Sequence, residues 1–344
     1  MTLHRRTLLR GLSAATGLAA LSTLRVHAQP ATRKVTDMAG REVELPARIQ
    51  RVVTLGSLPV LNSFVFTMGE ARTIVNGLAD FAQPHWKYQN VFAPQLAGQP
   101  TMQLPNREPL VEAILQARPD VVLTLHREAV DRLAALGVRV VYLSWREPED
   151  VKACMALIGQ VFGKPDTALA YQQWFEGTLA SIKGGLAGLA DSQRPRVLYL
   201  QPDTLTQPRL IAEWWIPAAG GISVTNDGRK TESRSFSMEQ VLAWDPDVMI
   251  LTTPQAVRLV RTERAFAGLR AVRSGRLHVV PVGAHTWSNR TAEQPLTLMW
   301  AARTFHSQRF ASLDLSKQAW EFYAKYFGTK LSDAQVAEIL SGDL

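Results

Sequence analysis

One phrase is written twice in this 344-residue chain, "EAILQARPDVVLTL" from Glu112 and "EQVLAWDPDVMILT" from Glu239. In each, an apolar pair, Ile114/Leu115 or Val241/Leu242, fits one face of a short helix, and Pro119 or Pro246 ends that helix before a strand. The runs "VVLTL" and "VMILTT" are nearly continuous β-branched and aliphatic, the pattern of strands covered on both faces in a parallel sheet. "RVVTLGS" (51–57) and "RVLYLQP" (196–202) precede the two phrases, while "VRVVYLSW" (138–145) and "GRLHVVPVG" (275–283) follow them. A unit of strand, helix, strand, strand therefore occurs twice. Two copies of this length are a duplicated domain and not a solenoid. The predicted class is α/β, with two Rossmann-like lobes and a ligand cleft between them.

Between the copies the strand signals vanish and helical spacing takes over, broken at Gly163 and Pro165. A helix from Pro165 to Leu189 would run roughly 37 Å, long enough to bridge the lobes and to limit their hinge. After the second copy, 292–305 and 316–328 read as amphipathic helices, and Ser332 with Gln335 has the capping-box pattern that opens a third. The expected boundaries are 1–28 for a signal peptide, 29–147 for the N-terminal lobe, 148–190 for the helical connection and 191–344 for the C-terminal lobe.

The first segment has Arg5, Arg6 and Arg10, an apolar stretch from Leu12 to Leu21 and a small-residue exit at Val26-His27-Ala28. That is the layout of a cleaved export signal, with Arg5-Arg6 suggesting the twin-arginine route and a periplasmic destination. Together with Arg25 this segment holds half of the net charge of +8, so a nucleic-acid partner loses its main support. No other stretch approaches the ~18 apolar residues of a transmembrane helix. The single cysteine, Cys154, permits no intrachain disulfide and lies far from the cleavage site, against an N-terminal lipid anchor.

These features meet a family pattern. The opening "VTDMAGREVELPARIQRVVTLGS", both E-x-x-L-x-x-x-P-D-V phrases, the long interlobe helix, "GGISV" (220–224) and the ending "DLSKQAWEFYAKYFGTKLSDAQVAEIL" resemble the class III substrate-binding proteins of bacterial ABC importers. That family carries ferric siderophores, haem, cobalamin and some metal oxyanions or chelates. The resemblance implies two α/β lobes joined by one helix, a monomer with no intrinsic cofactor, and contact with the membrane only through a permease. It also implies that Glu112 and Glu239, one on each lobe, meet arginines of that permease.

Ligands of open α/β sheets bind beyond the carboxyl ends of the strands. Reading those ends and the neighbouring loops gives Ser57, His85, Trp86, His126, Trp145 and Gln201 from the first part of the chain, then Trp214, Trp215, Thr253, His285, Trp287 and Arg290. The set is aromatic and cationic with few carboxylates, which suits a bulky, electron-rich anion, and an iron(III) chelate such as a ferric siderophore fits it best. Haem, cobalamin, molybdate or tungstate and a nickel chelate are the alternative cargoes. His85, His126 and His285 could converge on a metal directly, although no close His/Cys spacing supports a closed zinc site. Arg290, just ahead of a helix, is the first choice among anion contacts.

An exported hydrolase is the competing class. Gly56-Ser57-Leu58 follows a strand, but G-x-S-x-G, H-E-x-x-H, a phosphate loop and a dinucleotide fingerprint are all missing. A periplasmic sensor on the same fold is a third reading.

Overall fold

A computed structural model describes residues 32–79, 85–207, 213–228 and 234–343. The expected signal segment lies outside the described residues. Residues from Thr32 onward form one compact unit.

The chain enters through an antiparallel hairpin of β1 (Thr32–Thr36) and β2 (Glu42–Pro46). The first sheet is wholly parallel, in the order β3 (Val52–Leu55), β4 (Val121–Thr124) and β5 (Val140–Tyr142), and Ile74 bridges β3 in parallel on its other side. The second half adds β6 (Arg196–Tyr199), β7 (Thr206–Gln207), β8 (Ile222–Ser223), β9 (Arg234–Ser235), β10 (Val248–Leu251) and β11 (Leu277–Val279). Its main sheet runs β8-β6-β10-β11, again all parallel, and β7 pairs with β9 apart from it. With Ile74 taking the place of β8, the two sheets have the same order. The six strands expected from the sequence are all present, and β3, β4 and β10 are buried throughout, as their unbroken apolar runs require.

The structure gives the repeated phrase a physical cause. The helices Val111–Ala117 and Met238–Trp244 both end on a left-handed residue, Arg118 (φ 45°) and Asp245 (φ 38°), directly before the proline. The aspartate after each proline then turns back on the neighbouring strand. Asp120 accepts from the backbone N–H of Gln50 and Arg51 (2.7 and 2.9 Å), and Asp247 from that of Arg196 (2.8 Å). In return the Arg51 side chain donates to the carbonyl of Ala117 and the Arg196 side chain to that of Trp244, capping the helix ends. Each copy is thus a two-way clamp between a helix terminus and the start of a central strand. The apolar pairs, however, do not share a buried face. Ile114 and Val241 are fully buried, whereas Leu115 and Leu242 are 41% and 46% exposed beside the exposed Glu112 and Glu239.

The helix Pro148–Phe162 opens with a capping box between Glu147 and Asp150, and Gly163 ends it in the left-handed conformation. The next helix, Pro165–Gly185, stops one turn short of the expected Leu189. A single hydrophobic cluster runs from the first sheet through these two helices to the second sheet and the C-terminal helices, joining Phe64, Phe175, Tyr199, Trp300 and Tyr323. Two smaller clusters fill the outer faces of the sheets. The helix Gln294–Phe305, expected to be amphipathic, is buried over almost its whole circumference. Leu315–Tyr326 and Asp333–Ser341 follow, the latter opened by the Ser332–Gln335 capping box.

Candidate functional site

The carboxyl ends of the first sheet converge on a pocket of about 210 Å³. β3 leads to Ser57, β4 to His126, and β5 to Trp145 and Arg146, while Arg290 enters from the second half of the chain. Arg290 lies with its guanidinium carbon 5.7 Å from the centre of the Trp145 ring and donates to the Trp145 carbonyl at 3.4 Å. A second pocket of about 310 Å³ adjoins it through Ser57 and Arg107 and is walled by Trp86, Gln103 and His285. No carboxylate lines either pocket.

Arg107 and Gln103 were not legible as site residues. They belong to a tight loop in which Gln103 and Pro109 form an antiparallel bridge, the Arg107 N–H donates to the Leu104 carbonyl, and Arg107 takes φ 71°. A left-handed arginine costs about 1–3 kcal/mol and persists because the bridge fixes the loop. The one sequence signal is the cramped spacing of Pro105 and Pro109 around Asn106-Arg107. Gln103 clamps Gly56 on both sides, accepting from its N–H at 2.5 Å and donating to its carbonyl at 3.0 Å. Gly56 has φ 98°, and a Cβ there would stand 2.9 Å from the His126 ring, so glycine lets the imidazole close over the end of β3.

His85, His126 and His285 are not gathered into one three-ligand group. His85 meets Trp86 edge-on and His285 stacks on it, both with ring centres 4.1 Å away, while His126 lies against Gly56. Among the described residues no three His, Cys, Asp or Glu side chains are placed to hold a metal ion. The Trp86 loop is held to the C-terminal helix through Glu338, which pairs with Lys87 and accepts from the Tyr88 hydroxyl at 2.7 Å.

Other expected contacts sit elsewhere. Trp215 is fully buried against Tyr199, Trp300 and Phe305, and Trp287 is fully buried with its indole N–H donating to the Tyr323 hydroxyl. Both are core residues, because the short helix Trp215–Ala218 and the loop carrying Trp287 pack inward onto the C-terminal helices. Trp214 packs on Phe175, Thr253 accepts from Ala256 N to cap a helix, and Gln201 is exposed with its side chain bonded to Thr206. None of these three lines either of the two pockets.

Comparison with known proteins settles what kind of molecule carries this cleft. A family model described as periplasmic binding protein matches residues 73–282. The chain belongs to that family. It is a solute-binding protein and not an enzyme, and its fold is that of the class III proteins of ABC importers. Molybdate-binding protein MolA of Haemophilus influenzae is 24% identical over 328 residues, covering 87% of this chain and 92% of the relative. A cobalamin-binding protein of Halobacterium salinarum is 29% identical over 244 residues, 69% of this chain and 62% of its own length. The crystal structure of a periplasmic solute binding protein from Veillonella parvula superposes with a TM-score of 0.80 at 24% identity, covering 90% of this chain and 97% of that one.

In this periplasmic binding protein the loop bearing His285 and Arg290 hangs on one buried carboxylate. Glu293 accepts from the Tyr323 hydroxyl (2.6 Å) and from the N–H groups of Ala284 (2.8 Å) and His285 (3.3 Å), yet burial pushes its carboxyl up to about 7. Burial pushes the His285 imidazole down to about 3, with His85 and Arg290 adding to the effect. A folded state that refuses a proton which the unfolded chain accepts near pH 6.5 is fully stabilised above that pH and loses the contribution as the pH falls toward 3. Glu293 has the opposite sign: its contribution is complete below 4.5 and is lost as the pH rises through about 7. Relative to His285→Gln, the wild type is therefore expected to lose about 1.4 kcal/mol per pH unit on acidification below about 6.5. Urea unfolding of both proteins from pH 7.5 to 4 measures this, and a pH-independent difference would refute it.

Proposed function

We propose that this periplasmic binding protein captures a small oxyanion between Arg107, Arg290 and His126 and delivers it to the permease of an ABC importer. The observation that carries the reading is a small pocket lined by Arg107, Arg146 and Arg290 with no carboxylate. Arginine forks match planar or tetrahedral oxygen pairs, and with no acid in the lining the pocket disfavours a bare cation. His126 is held neutral by burial and by Arg107, so it offers either a donor or an acceptor according to its tautomer. One relative, aligned over 87% of this chain, is a molybdate-binding protein, which agrees with an oxyanion of that class.

An iron(III) chelate is the second reading. It is favoured by the adjoining space beside Trp86, where an aromatic wall could take the organic shell while the arginines hold the anionic oxygens. In both readings the exposed Glu112 and Glu239 face the permease, the chain acts as a monomer, and residues 1–28 direct export, by the twin-arginine route, to the periplasm.

Trp145 beside Arg290 supplies a fluorescent reporter. Titration with molybdate, tungstate, ferric siderophores, haem, cobalamin and nickel-histidine is expected to show saturable change with the oxyanions. Response to a ferric chelate alone would establish the second reading, and silence across the panel would overturn the cleft as a cargo site.

A further inference from the structure

A second cationic concavity lies at the amino ends of the strands of the second sheet, whereas ligands of such sheets occupy the carboxyl ends. It comprises a hollow of about 600 Å³ that shares Gln193, Arg276 and Phe305 with a neighbouring one of about 670 Å³. Arg276, Arg303, Arg309, His278 and His306 line the first hollow, with no carboxylate among its lining residues. At the rim of the second, Arg270 is neutralised by Asp245 and Asp247, and Arg194 by Asp191.

Arg276, Arg303 and Arg309 have a structural duty that accounts for only part of each side chain. Arg276 reaches the carbonyls of Thr304 and Phe305, Arg303 that of Leu313, and Arg309 those of Gly185 and Ala187. Cations at helix carboxyl ends are favourable there. Main-chain carbonyls leave the charge uncompensated, however, and each guanidinium has five donors. Among the described residues none of the three forms an ion pair. His278 adds a buried Nε2 with no hydrogen-bond partner in the same lining. Burial disfavours protonation of His306, and Arg309, Arg276 and Arg194 add to the effect.

We infer that this groove is a second anion site, for a phosphate-bearing ligand. Several guanidiniums around one solvent-open hollow suit a diphosphate or phosphate diester better than a single carboxylate. The shared chemistry has two sources, a soluble phosphorylated metabolite and a phospholipid headgroup.

The test uses the full chain, with calorimetric titration of inorganic pyrophosphate at low salt and cosedimentation with phosphatidylglycerol–phosphatidylcholine vesicles. Arg276→Gln/Arg309→Gln removes two charges while keeping amide donors for the carbonyls, and is expected to weaken pyrophosphate about tenfold or more. Arg273→Glu, an exposed change at the rim, is expected to act in the same direction without a burden on folding. Binding of pyrophosphate with this dependence, retained in the cargo-pocket variant Arg107→Asn, supports a soluble ligand. Vesicle binding with the same dependence supports the headgroup. Absence of both, insensitivity to the groove variants, or loss in Arg107→Asn would overturn the site.

Discussion

Replacing Arg107 by Asn and Arg290 by Gln together is expected to weaken binding of the proposed oxyanion by about 100-fold or more, with little change in unfolding free energy. Charge-assisted hydrogen bonds contribute about 1.5–3 kcal/mol each, and every 1.4 kcal/mol is tenfold in affinity. Asparagine is the choice at 107 because it tolerates the left-handed backbone that this position adopts. Glutamine at 290 retains a donor for the Trp145 carbonyl. Fluorescence or calorimetric titration reads the affinity, and urea unfolding reads the stability. Undiminished binding in the double variant would remove the arginine pocket as the cargo site, whereas parallel losses of affinity and stability would make the arginines structural.

Trp215→Ala should cost about 3–5 kcal/mol of stability, the range for truncating a buried tryptophan. Its ring is wholly inside, between Tyr199 on a central strand and Trp300 and Phe305 on a C-terminal helix. Trp215→Phe should cost much less, since it retains an aromatic ring and removes a buried indole N–H without a partner among the described residues. Urea midpoints compared at constant slope decide the matter. An alanine variant of near wild-type stability that binds cargo poorly would return Trp215 to the cleft and contradict its core placement.

Exposed Glu112 and Glu239 differ from their repeated surroundings in what they need from the fold. Asp120, Asp247, Arg51 and Arg196 recur because each closes a clamp inside its own half of the chain. Glu112 and Glu239 instead each lie in the first turn of a helix, where a carboxylate meets free backbone N–H groups, and the neighbouring Leu115 and Leu242 are exposed in both copies.

The duplication, the six central strands, the long helix and the capping box at Ser332 were legible because each is fixed by neighbours in sequence: apolar runs, prolines and caps act over one turn or one strand. Ser57, His126 and Trp145, read from the strand ends, line one pocket, since parallel sheets gather those ends at one edge, and Arg290 reaches it from a loop of the second half. Tertiary structure alone decided which aromatic residues face inward. Trp215 opens a short helix and Trp287 sits in a loop, and packing against the C-terminal helices buries both fully, whereas Trp86 stays partly exposed beside the pocket. It likewise decided that Arg107 enters the pocket, because its direction is set by a left-handed backbone angle and by a bridge between Gln103 and Pro109, neither of which has a periodic signature. Local propensity fixes where elements begin and end; long-range packing fixes which way the side chains between them point.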